Sequence, residues 1–212
     1  MKDINFDILG DYEDCIINIS RNKRSRLLVN EQEDNYLISN KKDILLSKNW
    51  SKLNSFNSLK EKETQIKYYK KMNSTSEVLQ LVELESKAFG SISENIIKEI
   101  FNLNRRISTQ NDASFEDIKF EIKSARYWGC KDECVWQHLE PEHDYQYVLF
   151  CLLDFDKFKV WIISKKILMG ELRIKKIVTH QGKQGWWVKK SNIINYIKPV
   201  FNFDDIYNYI KQ

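Results

Sequence analysis

The run Tyr147-Val148-Leu149-Phe150-Cys151-Leu152-Leu153 constrains the fold of this chain more than any other feature. Seven residues are too few to span a bilayer, which takes about 20 in a helix. A short, nearly continuous apolar run is the pattern of a strand covered on both faces. Phe158 to Ile163 predicts a second such strand, paired with the first. The covering layers must come from elsewhere, and 212 residues are enough to build one sizeable core.

The first half supplies helices. Residues 1–104 are rich in Lys, Glu, Asn, Ser and Leu, with apolar residues at helical spacing. Lys60 to Lys71 predicts a strongly charged helix. Val78, Leu81, Val82 and Phe89 fall on one face of another, with Gly90 as its stop. Ser91-Ile92-Ser93-Glu94 has the form of a capping box, Ser91 as N-cap and Glu94 at N3, opening a helix through Ile96, Ile97, Ile100 and Phe101. From residue 112 the pattern turns to strands. A short helix at Lys165 to Glu171, a strand at Arg173 to Val178 and a terminal helix at Asp204 to Ile210 follow. The expected fold is α/β in the α+β sense, a central mixed β-sheet flanked by helices.

Composition excludes little beyond this. Hydrophobic residues at 42% with only 2 Pro and 6 Gly describe a folded chain, not a disordered one. A net charge of +4 is weak evidence for a polyanionic partner, since a basic face can coexist with acids elsewhere. The opening residues Met1 to Asp7 carry early acids and no apolar core, so no secretory signal is expected. Cys15, Cys130, Cys134 and Cys151 show no disulfide-framework spacing. The expectation is a reduced, cytoplasmic protein without a membrane partner.

The chemistry concentrates between Asp112 and Lys123. Ile118, Phe120 and Ile122 alternate with Lys119, Glu121 and Lys123, which is period two. If Glu116-Asp117 form a two-residue turn, Phe115 faces Ile118, Ser114 faces Lys119 and Ala113 faces Phe120. The same register sets Asp112 opposite Glu121, and opposed residues have Cβ atoms about 4.5–5.5 Å apart. Lys123 follows on the same face, roughly 7 Å along the strand. Two such carboxylates suit Mg²⁺, which takes one or two acids and completes its shell with water and phosphate oxygens. Asp117, the rival acid, would lie about 13 Å from Glu121 along one extended strand. The bland alternative is a surface hairpin whose charges face water, with Lys119 neutralising the acids.

Asp112, then Glu121-Ile122-Lys123 after eight residues, then Ser124-Ala125-Arg126-Tyr127-Trp128, resembles the PD-(D/E)xK nuclease signature of type II restriction endonucleases. The resemblance covers roughly residues 90 to 165, with Asn111 where the family carries Pro. It implies a restriction-endonuclease-like core in which Asp112, Glu121 and the carbonyl of Ile122 hold Mg²⁺, with two-metal use open. Lys123 then serves the nucleophile, and Glu94 on the preceding helix adds to the site. On this reading residues 90–212 form the catalytic core, and a mainly helical region over 1–89 dimerises or embraces DNA. The expected activity is Mg²⁺-dependent, sequence-specific hydrolysis of double-stranded DNA by a homodimer, because a two-strand cut needs two sites. A junction, repair or nicking nuclease of the same fold and a non-catalytic DNA- or protein-binding domain are the alternatives.

Several other groups need placing. Cys130, Cys134, His138 and His143 have permissible zinc spacing, but they are compressed into fourteen residues without an intervening hairpin and helix, so zinc is disfavoured. Trp128 and Trp136 belong either to the core or beside a bound phosphodiester. Gln137 is a candidate for a phosphate or water. Gln181, Lys183 and Gln184 lie in a Gly-flanked loop suited to base edges or to a plain hairpin turn, and Arg126 is a candidate phosphate contact. Asp154-Phe155-Asp156 is expected to be a turn.

Overall fold

The computed structural model describes residues 16–18, 26–30, 33–37, 60–128, 132–182 and 185–212. In chain order the elements are strands β1 (Ile16–Asn18), β2 (Arg26–Asn30) and β3 (Glu33–Leu37), then helices α1 (Lys60–Lys71), α2 (Ser76–Glu83) and α3 (Ser86–Ile100). Strands β4 (Asn104–Arg105), β5 (Ala113–Phe115), β6 (Ile118–Arg126), β7 (Val135–Leu139), β8 (Tyr147–Leu153) and β9 (Lys157–Ser164) follow. A π-type helical segment (Lys166–Leu172), β10 (Thr179–His180), β11 (Trp186–Lys189), one short helical turn (Lys190–Ile193) running into a 3-10 turn (Ile194–Tyr196), β12 (Lys198–Pro199) and α4 (Phe203–Lys211) complete the described elements.

The apolar run is β8, and it sits inside a mixed sheet ordered β1-β9-β8-β6-β5-β4. It pairs in parallel with β6 and antiparallel with β9, and every residue from Val148 to Leu153 is buried. Strands β1 and β12 share the far edge of β9, pairing with its first and second halves. A second, three-stranded sheet, β10-β11-β7, and a separate hairpin, β2-β3, stand outside it.

Each face of the central sheet has its own cover. Residues paired in register share a face, so Lys123 and Phe150 stand together, and the Trp136 ring of β7 packs on Phe150 at 4.6 Å between centroids. On the opposite face Phe115 meets Phe203 of α4 at 4.6 Å, and Tyr147 meets Tyr209 at 6.0 Å. Asn202 caps α4 in a capping box with Asp205. The acid-bearing face of β6 thus looks toward the small sheet, and α4 backs the other face.

Three expectations change. Helix α3 starts at Ser86 and runs through Gly90, so Ser91 is an interior residue and not an N-cap. The chain breaks at Leu84-Glu85 instead, and the side-chain cap belongs to Thr75, which accepts the Val78 N–H at the start of α2. Arg173 to Val178 is a helical end and turn, and the strand there is only Thr179–His180. The residue-89 boundary falls inside α3, and Tyr69, Val78 and Phe89 belong to the same buried cluster as the sheet. Of the region over 1–89, expected to be mainly helical, the described residues form β1, β2, β3, α1, α2 and the start of α3.

Candidate active site

The hairpin forms in the expected register, Ala113 opposite Phe120, Ser114 opposite Lys119 and Phe115 opposite Ile118. Glu116 takes a left-handed φ of 50° at the first turn position, a conformation that costs a non-glycine residue some strain. One step past Ala113 the ladder shifts. The Asp112 N–H donates to the Phe120 carbonyl at 2.9 Å, and the Asp112 carboxylate accepts the Ile122 N–H at 2.8 Å. Asp112 therefore straddles Glu121, with one bond to the residue on either side of it. Asp117 is exposed in the turn and plays no part.

Glu121 is only 3% exposed. Burial pushes its carboxyl above the ordinary range, Lys123 pulls it down, Asp112 raises it again, and His143 lowers it. The Lys123 ammonium lies 2.5 Å from the Glu121 carboxylate. A buried acid beside a second acid is costly unless a cation compensates it, and the hairpin supplies one ammonium for two carboxylates. Lys119 does not fill the gap: its ammonium pairs with Asp144. The reading of a hairpin whose charges merely face water is thus overturned at Glu121.

The other acids and bases separate. Glu94 pairs with Lys98 one turn along its own helix. Among the described residues no three His, Cys, Asp or Glu side chains gather closely enough to hold a metal by themselves, so Glu94 does not complete a triad with Asp112 and Glu121. The Ile122 side chain is buried on the face opposite Glu121, while its N–H serves Asp112. Arg126, expected to touch phosphate, turns inward: it donates to the carbonyls of Val82 and Leu84 at 2.6 and 2.8 Å and lies over the Phe89 ring at 4.3 Å. Burial lowers its pKa to about 10. Those are the open carbonyls at the end of α2, so Arg126 is a helix-terminating staple.

Gln137 is exposed on β7, and Gln181 is exposed in the loop before β11, its N–H bonded to the Gly185 carbonyl at 2.9 Å as a hairpin turn requires. Lys183 and Gln184 lie outside the described residues, as does Cys130. Cys134 is fully buried, His138 is exposed with a left-handed φ of 56°, and His143 stands in the loop before β8. The two tryptophans part company, Trp136 fully buried and Trp128 60% exposed. Asp154 begins the turn into β9, its N–H bonded to the Lys157 carbonyl.

The sequence reading missed the loop from Glu140 to Gln146. Gln146 is clamped against β6, its N–H donating to the Lys119 carbonyl at 2.9 Å and its side-chain oxygen accepting the Lys119 N–H at 2.7 Å. This fixes the loop that carries His143 and Tyr145 against β6 at Lys119, two residues before Glu121. The loop has no periodicity, and nothing in its composition says which strand it will meet. No known family model matches this chain, and no curated protein is significantly similar to it.

Proposed function

We propose that the chain is a Mg²⁺-dependent nuclease acting on double-stranded DNA, with Asp112, Glu121 and Lys123 as its working groups. The observation that carries this reading is the buried Glu121, 3% exposed, flanked by a second carboxylate and by an ammonium on the same hairpin. Two hard oxygen donors fit Mg²⁺, and the excess negative charge in a buried place is what a divalent cation relieves. A bound Mg²⁺ supplies Lewis-acid stabilisation of the negative charge that grows on a phosphate under attack. Asp112 and Glu121 hold it, and the backbone N–H of Ile122 keeps the Asp112 carboxylate oriented.

Lys123, beside Glu121, would orient an attacking water through its ammonium or, as the neutral amine, accept that water's proton. Arg105 and Arg106, exposed on and just past the edge strand β4 beside β5, are suited to phosphate oxygens along the approach. One such hairpin per chain cuts one strand, so cleavage of both strands calls for a homodimer on a two-fold target. The test is plasmid DNA with and without Mg²⁺. Discrete linear fragments support a sequence-specific enzyme, a nicked circle supports a nicking one, and intact plasmid at every Mg²⁺ concentration overturns the nuclease.

The same burial yields a stability prediction. Because burial raises Glu121's pKa, the folded chain holds that proton more tightly than the unfolded chain does. Stability from this group therefore falls as pH rises from the ordinary carboxylate range through the raised value. Glu121→Gln is expected to melt higher than the wild type above that window and equally below it. Relief of opposed like charges in a sheet is worth up to about 1 kcal/mol, or about 2–4 °C for a chain of this size. Thermal melts across pH measure the difference, and a melting temperature unchanged or lowered at neutral pH counts against a strained carboxylate.

A further inference from the structure

The net charge of +4 hides an uneven distribution. Residues 172–203 contain seven Lys or Arg and no Asp or Glu, so the rest of the chain carries 27 basic against 30 acidic residues. The whole excess of positive charge sits in one stretch, and such asymmetry marks a surface for a polyanion. That stretch runs from the end of the π-type segment through β10 and β11 of the small sheet to β12.

At its centre is the turn from Arg173 to Lys176, all four residues of which are exposed. The backbone fixes this turn: the Lys176 N–H donates to the Arg173 carbonyl at 3.0 Å, and the Ile177 N–H to the Leu172 carbonyl at 2.9 Å. Lys176 takes a left-handed φ of 58°, a position that glycine fills most easily, and sets an ammonium there instead. The Arg173 guanidinium lies 5.3 Å over the Trp186 ring. His180, opposite Trp186 in the β10-β11 ladder, meets the same ring edge-on at 5.1 Å. A guanidinium stacked by its face keeps its N–H edge for the paired oxygens of a phosphate. Holding it on a ring also lowers the entropy lost when that contact forms. Lys175 pairs with Glu171 at 2.5 Å, whereas among the described residues Arg173 and Lys176 form no ion pair.

A basic surface suits a nucleic-acid backbone or an anionic membrane. Binding to a membrane surface takes an amphipathic helix with a broad apolar face. Here the cations stand on a turn and short strands, with a single apolar side chain, Ile174, in the exposed turn. We propose that the turn Arg173 to Lys176, with Trp186 and His180 beside Arg173, holds the phosphate backbone of duplex DNA. The choice of duplex DNA rests on the nuclease reading, but the surface is separate from the acidic hairpin and needs no metal.

The test is fluorescence anisotropy of a labelled random-sequence duplex with the full chain in EDTA, repeated over a range of salt. The variants are Arg173→Gln/Lys176→Gln and, removing equal charge elsewhere, Lys70→Gln/Lys71→Gln at the exposed end of α1. Each phosphate contact adds about 0.9 to the slope of log affinity against log salt, so the first pair should lower that slope by about two. It should weaken binding alike on every sequence, while the second pair keeps the wild-type slope and both pairs keep the wild-type melting temperature. Equal losses in the two pairs report net charge alone and overturn the proposal. A wild-type slope in Arg173→Gln/Lys176→Gln, or no duplex binding by the wild type at low salt, overturns it too. Binding to phosphatidylserine vesicles with the duplex ignored assigns the surface to a membrane, with the same consequence. The nuclease reading fails separately: the expected slope change without any Mg²⁺-dependent cleavage by the wild type supports this surface and removes the enzyme.

Discussion

Lys123→Ala should lower Mg²⁺-dependent cleavage of duplex DNA by about 10²–10⁴-fold, the usual worth of a positioned proton-transfer group, while leaving DNA binding at the wild-type level. The separation follows from where the residue sits. Its ammonium is 2.5 Å from Glu121 and its side chain is 21% exposed, so it serves the buried acid more than the open surface. The phosphate contacts proposed for surface cations such as Arg105 and Arg106 do not depend on it. Truncation also strips Glu121 of its counter-charge, so some loss of stability accompanies the loss of rate. A gel-shift titration in Ca²⁺ beside a cleavage assay in Mg²⁺ reads the two effects apart. Cleavage retained in Lys123→Ala removes the lysine from the mechanism, and binding lost together with cleavage makes it a DNA contact instead.

Trp136→Ala should cost about 3–5 kcal/mol of stability, as large-to-small changes at fully buried aromatic positions do. Trp136 is 0% exposed, packs against Phe150 and Trp161, and donates its ring N–H to the Cys151 carbonyl at 3.0 Å. Those contacts join the small β10-β11-β7 sheet to the face of the central sheet that carries Glu121. Since whole domains are stable by only about 5–15 kcal/mol, the variant should lie near its unfolding threshold. Urea denaturation followed by fluorescence measures the change. A loss under about 1 kcal/mol would mean that the two sheets are not held together through this ring. Trp136→Phe, which keeps most of the packing but not the hydrogen bond, should fall between the two.

The hairpin and the central strand pair were legible early because their signals are local. Period-two alternation from Ile118 to Lys123 and a turn at Glu116-Asp117 define a register that few other pairings satisfy, and β5 and β6 adopt it. The run at Tyr147 is a strand because nothing polar interrupts it, and α4 forms where acids and an Asn stand ahead of an amphipathic segment. The helix boundary at Gly90 misled for an equally local reason. Glycine permits a stop without imposing one, and the packing of Phe89, Ile92 and Ile96 against the core keeps the helix continuous. Arg126 misled because a charged residue at the end of a candidate active-site strand reads the same whether it faces solvent or the carbonyl end of a helix some forty residues away in sequence.

What the sequence by itself determined was the mixed α/β architecture, the pairing of β5 with β6 and the presence of Asp112, Glu121 and Lys123 on one hairpin, because side-chain periodicity and turn length act over a few residues. Only the tertiary structure decided that Glu121 is buried, that Glu94 stands apart with Lys98, and that the loop carrying His143 and Tyr145 closes against β6 at Lys119. Burial and long-range contact depend on how layers stack, and stacking is settled by the sum of many weak apolar contacts that no short stretch of sequence contains.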